Sequence, residues 1–185
     1  THGRSIFILD DVTPLREWSK AIEAQAAHLF TPRPAVRWQL ESPISSHLKG
    51  PGENPPAGAI VYYWLKQEPK DDVELDVLDA AGAVVRSLSS RKLEPPVAED
   101  DPDPEEPAPK PLPKRAGLQR AVWDLRYDGA TRIRKAKVDA GDPATGPLAL
   151  PGSYTLRLRA AGETLTTPVE GRLGPRGRLG PAAPA

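Results

Sequence analysis

The chain contains no cysteine and no methionine. The absence of cysteine excludes disulfides, thiolate catalysis and cysteine-ligated zinc. It leaves the compartment open, because a bacterial cytoplasm and a periplasm suit such a chain equally well. No run of about 18 apolar residues occurs, which excludes a membrane-spanning helix. Aromatic residues make up only 5% of the chain, so each large ring is a landmark.

Proline, by contrast, is abundant. Its 23 copies among 185 residues, with a hydrophobic share of 38%, mean that the whole chain cannot pack into one core. The length suits one domain with irregular segments attached. The formal net charge is zero, but only by cancellation. Glu94, Glu99, Asp100, Asp101, Asp103, Glu105 and Glu106 are seven acids with no base among them, which leaves 25 basic residues against 18 acidic ones elsewhere. A mildly basic body with an acidic loop describes the chain better than neutrality does. Solvation is the plain role of both patches.

Residues 1–11 (THGRSIFILDD) hold a short apolar run, Ile6 to Leu9, with no partner strand before it. A lone strand leaves its backbone donors and acceptors unpaired. The chain therefore reads as the tail of a longer protein, and its function as that of a part. No secretory leader is visible, and an internal start would make that absence uninformative.

Thr13-Pro14 is a helix start, with a Thr cap and Pro at the first helical position. Leu15, Trp18, Ile22, Ala26 and Leu29 recur at helical spacing and predict a helix to about His28, ahead of Pro32 and Pro34. Ala35 to Leu40 reads as a short strand, and 41–58 as a turn-rich loop. Ala59 to Gln67 is apolar on both faces, as a covered strand would be. Val73, Leu75 and Val77 alternate with Glu74 and Asp76, then Ala81-Gly82 turns into a second arm, Ala83 to Ser89. Lys92 to Arg115 has eight prolines and the acidic cluster, and reads as a disordered linker of polyproline character. Leu118 to Asp128 resumes the sheet with Ala121, Trp123 and Leu125 on one side. Arg132, Arg134, Lys135 and Lys137 form a basic loop. A last hairpin places Tyr154, Leu156 and Leu158 opposite Thr155, Arg157 and Arg159, turns at Ala160-Ala-Gly162, and returns over Glu163 to Val169.

About seven strands from Ala35 onward, in antiparallel hairpins, predict a mainly β fold: an Ig-like or fibronectin type III-like sandwich preceded by one helix and an orphan strand. The expected division is 1–12 as that strand, 13–34 as helix and loop, 35–173 as the sandwich interrupted by 92–115, and 174–185 as a disordered tail. The acidic linker enters the Leu118 strand and the basic loop leaves it. Their roots should lie at opposite ends of the sandwich, which disfavours a compact clasp between them.

Several blocks also carry a resemblance. THGRSIFILDDVTPLREW (1–18) resembles the closing segment of bacterial sortilin-like, BNR-repeat β-propeller proteins, often named as glycosyl hydrolases or sialidase-like proteins. LFTPRPAVRW (29–38), NPPAGAIVYYWL (54–65), LDVLDAAGAVVRSLS (75–89), GLQRAVWDLRYDGATR (117–132) and the block 146–173 are similar to the C-terminal module of that family. That module is similar to the Ig-like domain of flagellar hook-capping proteins, with its Trp-Asp strand (Trp123-Asp124) and Pro-Gly-x-Tyr hairpin (Pro151 to Tyr154). The match runs over residues 1–173. It departs at 134–144, which is basic and polar where the family loop is more apolar, and after Leu173.

The resemblance implies that residues 1–12 close an upstream propeller and that this propeller is the partner. It implies a secreted or periplasmic setting and a non-catalytic accessory role. The alternatives are a piece of a glycoside hydrolase whose active site lies in the propeller, or a carbohydrate-binding module. The residues themselves offer no catalytic, cofactor or metal set. His2, His28 and His47 have no ligand spacing. Gly50-Pro-Gly52 lacks the helix and Lys of a phosphate loop. Asp10-Asp11 is the best carboxylate pair, but neighbours at a strand end diverge, and Asp11 reads as a turn residue. Arg4 suits a contact with a neighbouring blade better than a substrate carboxylate. Tyr62, Tyr63, Trp64 and Trp123 suggest a sugar platform, yet Trp123 falls in line with Ala121 and Leu125 as core. The basic run 132–137 has no interleaved aromatic, so nucleic-acid binding is not expected.

Overall fold

A computed structural model describes residues 11–37, 56–92, 110–130 and 145–174. The expected propeller strand and Arg4, His2, Asp10, His47, the acids at 94–106, the basic run at 132–137 and the tail from 175 lie outside the described residues.

Two short helices open the described chain, α1 (Thr13–Glu17) and α2 (Lys20–Ala24). They replace the single helix that the spacing of 13–28 predicts. The break falls at Trp18, whose extended backbone (ψ 133°) ends α1, and Ser19 then caps α2 by accepting from the Ile22 N–H. A strand, β1 (Ala27–Leu29), comes next, so the end of the apparent helical stripe belongs to a sheet. Leu15, placed on that stripe, is 61% exposed.

The rest is β: β2 (Ala35–Arg37), β3 (Ala59–Leu65), β4 (Glu74–Leu78), β5 (Val84–Ser89), β6 (Gly117–Trp123), β7 (Gly152–Ala160) and β8 (Glu163–Leu173). All seven strands expected from Ala35 onward are present. They form two sheets, one of three strands ordered β1-β3-β6 and one of five ordered β2-β8-β7-β4-β5. The β4–β5 and β7–β8 hairpins are antiparallel as predicted. In contrast, β2 lies parallel to β8, Ala35 opposite Gly171. A purely hairpin-built arrangement is thereby corrected, because β2 reaches its partner across most of the chain.

Local chemistry sets the turns. Ala161 and Gly162 both have positive φ (51° and 76°), the pair that a two-residue hairpin loop between β7 and β8 requires. Gly58, entering β3, has φ 129°, and a side-chain carbon there would stand 2.1 Å from the Trp123 carbonyl oxygen.

Strand alternation builds the core. Val61, Tyr63 and Leu65 of β3 are fully enclosed, while Ile60, Tyr62 and Trp64 between them are half-buried, so β3 has one core face and one partly covered face. Ala121 and Trp123 of β6 join them, as do Leu75 and Val77 of β4, Val85 of β5, and Leu156 and Leu158 of β7, in one cluster drawn from both sheets. Trp123 meets Tyr154 edge-on at 5.0 Å, joining the two sheets. The far end of the segment expected to be a disordered linker packs on this body. Leu112 is buried and its N–H bonds the Ser89 carbonyl at 2.9 Å, and the Tyr63 hydroxyl donates to the Pro113 carbonyl. Prolines 111 and 113 lower the entropy cost of fixing this stretch.

Candidate functional site

Asp11 is the one member of the Asp10-Asp11 pair among the described residues. It is buried, and its Oδ1 accepts from the Thr13 N–H (2.9 Å) and the Thr13 hydroxyl (2.6 Å). That is the turn role read from the sequence. The carboxylate closes the loop before α1. His28, the only described histidine, shares a hydrogen bond with Gln25 at 2.9 Å and sits edge-on to Phe30 at 4.8 Å. Among the described residues no group of three or more His, Cys, Asp or Glu is placed to hold a metal ion.

The aromatic candidates divide between two environments. Tyr63 and Trp123 are core residues, each tied by its polar tip to a backbone carbonyl, Tyr63 to Pro113 and Trp123 Nε1 to Arg126 at 2.9 Å. Burial pushes the Tyr63 phenol well above the usual tyrosine range. These two rings are therefore removed from any sugar platform. Tyr62 and Trp64 lie on the opposite face of β3, the outer face of the three-stranded sheet. There Trp18 meets Trp64 at 5.1 Å and 86°, and stacks on Phe30 at 5.9 Å and 11°. Trp18 is held by its Nε1, which donates to Glu23 at 2.7 Å. The Trp64 indole N–H is buried with no hydrogen-bond partner.

Cross-strand register extends this face onto β6. Trp64 is opposite Leu118, Tyr62 opposite Arg120, and Ile60 opposite Val122. Leu118 is 39% exposed, Val122 half-buried and Arg120 exposed. The result is a strip of half-covered rings and aliphatic groups with one cation in it.

The outer face of the five-stranded sheet is quite different. Asp76 of β4 is buried, between Ser87 of β5 and Arg157 of β7 in register. Its carboxylate accepts from the Ser87 hydroxyl (2.8 Å) and from Arg157 (2.8 Å), and Arg159 reaches the same oxygen as Arg157 at 2.9 Å. Arg159 also pairs with Glu74 at 2.6 Å. Burial alone would raise the Asp76 carboxyl, but the hydrogen bonds from Arg157 and Ser87 and the two guanidinium charges outweigh it and hold the pKa below the usual carboxylate value. Sequence reasoning misses this network. Its signal is present in the alternation of Glu74 and Asp76 on one strand against Arg157 and Arg159 on another, but their pairing needs the register.

The cavities are modest. A small recess between Arg37, Trp123, Leu150 and Tyr154 sits over the junction of the sheets. An open groove of about 270 Å³ is lined by Pro32, Pro34, Ser153, Pro168, Val169 and Glu170. No family model matches the chain, and no curated protein or solved structure matches it.

Proposed function

We propose that this chain is a non-catalytic accessory and interaction module of the sandwich type, Ig-like in connectivity, that works beside a β-propeller in a secreted or periplasmic protein. The observation that carries the reading is the outer strip of the three-stranded sheet. Trp18, Tyr62, Trp64 and Leu118 form a partly exposed apolar surface on strands fixed by a shared core, which is how a contact surface is presented. The polar face of the other sheet spends its charges on one another. A sugar platform is less well served by this strip, because Trp18 and Trp64 meet at 86° and a sugar stacks on coplanar rings. On the resemblance to propeller proteins, any glycoside hydrolysis belongs to the propeller.

The test has two arms. A propeller domain ending in the same Thr-His-Gly-Arg-Ser block, added in trans, is expected to bind and to perturb the amide signals of Tyr62, Trp64 and Leu118. The isolated chain is expected to leave a panel of fluorogenic glycosides and sialosides untouched. Turnover of any of them by residues 1–185 alone would overturn the reading.

A further inference from the structure

We infer that the free edge of β6 is a strand-addition site for an extended segment of another polypeptide, one with a carboxylate residue opposite Arg120 and apolar residues opposite Leu118 and Val122. The inference rests on the interaction-module reading and names the surface and the partner chemistry.

Hydrogen-bond direction defines the edge. The Phe30 N–H bonds the Tyr62 carbonyl, and the Lys66 N–H bonds the Ala26 carbonyl, so the backbone groups of Tyr62, Trp64 and Lys66 point toward β1. Those of Val61, Tyr63 and Leu65 then point toward β6, where they meet Ala121, Gln119 and Gly117. It follows that Leu118, Arg120 and Val122 turn their N–H and C=O groups away from the sheet. Among the described residues no backbone group pairs with them.

Sheet edges are normally blunted, and the other three edges here are. β1 and β2 are three residues each. The β5 edge is capped at both ends, Leu112 bonding Ser89 and Asp128 bonding Val85, and the β4–β5 register shifts at Val77/Leu78. β6 is seven residues long, pairs with β3 without a bulge, and has no proline. Among the described residues its only guard is the charge of Arg120. Pairing with the chain segment at Leu148 begins at Leu125, whose carbonyl accepts from the Ala149 N–H and whose φ of 58° turns the backbone out of the strand.

Arg120 selects the occupant. It has no ion-pair partner among the described residues. A second copy added antiparallel about the strand centre would place Arg120 against its own equivalent, which is unfavourable for like charges directly opposite. A strand with a Glu or Asp at that position gains the cross-strand pair, and apolar neighbours two residues either side continue the Trp64–Leu118 and Ile60–Val122 rows.

The experiment uses the full chain and two acetylated heptapeptides, Thr-Val-Thr-Glu-Thr-Val-Thr and its central-Lys counterpart. In the free protein the Leu118, Arg120 and Val122 amides should exchange rapidly while Gln119 and Ala121 are protected. The Glu peptide should slow exchange at those three amides and bind at least about fivefold more tightly than the Lys peptide. Arg120→Glu should reverse the preference. Protection of the three amides in dilute free protein would mean that the chain covers its own edge, and protection growing with protein concentration would mean a second copy; either overturns the proposal. So does equal binding of the two peptides, or no binding. A propeller domain that binds and shifts the Tyr62, Trp64 and Leu118 signals while exchange at the three edge amides stays fast would sink the edge proposal and leave the module reading standing. Glycoside turnover would do the reverse.

Discussion

Asp76 shows how far one residue depends on its neighbours. A buried carboxylate without counter-charges would protonate or unfold the sheet. Here two arginines and a serine supply the compensation, and the folded-state pKa lies below its ordinary value. The contribution of such a group is complete above the unfolded carboxylate value of about 3.9 and is lost as pH falls through the lower folded value. Asp76→Ala should cost about 2–3 kcal/mol at neutral pH. That is less than for a fully enclosed pair, because Arg157 and Arg159 keep 32% and 41% of their side-chain surface in water. Urea midpoints from pH 7 to pH 2 check this: the gap between wild type and variant should close below about pH 4. A gap independent of pH would show that packing, not charge, makes Asp76 matter. Tyr63→Phe is a smaller probe. It removes the hydroxyl that holds Pro113 and should cost about 1 kcal/mol, with the Leu112 amide losing protection ahead of the core strands.

At the scale of elements, two glycines separate two kinds of constraint. Gly58 and Gly82 both have positive φ, 129° and 81°, but only Gly58 faces backbone at clashing distance, while Gly82 faces open space. Gly82→Ala should cost about 1 kcal/mol for its backbone conformation alone. Gly58→Ala adds a collision with the Trp123 carbonyl and should cost at least about 2 kcal/mol more. Equal losses in denaturant melts would refute the clash. The same scale shows what is legible in advance. Strands β4, β6, β7 and β8 are legible because period-two alternation survives in a sheet with one buried face, as in Leu156 and Leu158 against Arg157 and Arg159, while β3 is legible from its continuous apolar run and β5 from the turn at Ala81-Gly82. The helix predicted over 13–28 fails because Trp18, Ile22 and Leu29 keep helical spacing yet meet different surroundings: Trp18 lies against Phe30 and Trp64, and Leu29 pairs in a strand. The parallel β2–β8 pairing and the Asp76 network are not legible, since each depends on register between strands far apart in sequence. Of the candidate site, alternation places Tyr62 and Trp64 on one strand face, as found. The contribution of β6 stays hidden until its neighbours are known.

For the molecule as a whole, the question is whether two sheets of three and five strands behave as one body. Trp123 decides it. The residue is almost wholly buried, touches Tyr154 of the other sheet at 5.0 Å, and anchors the Arg126 carbonyl through its indole N–H. A core so shared makes the opening of either sheet expose the other, which couples them into a single cooperative unit. Trp123→Phe removes that hydrogen bond and part of the ring, and should cost about 2 kcal/mol. The consequence to measure is where the loss appears. Native-state hydrogen exchange should show the protected amides of β3 and β6 and those of β4 and β7 falling by the same amount. A loss confined to the three-stranded sheet would mean that the strip of Tyr62, Trp64 and Leu118 rides on a separately unfolding layer. The β6 edge would then be too loose to template a partner strand, since an ordering cost paid at binding lowers affinity. Equal losses would establish that the edge is presented by the full stability of the domain.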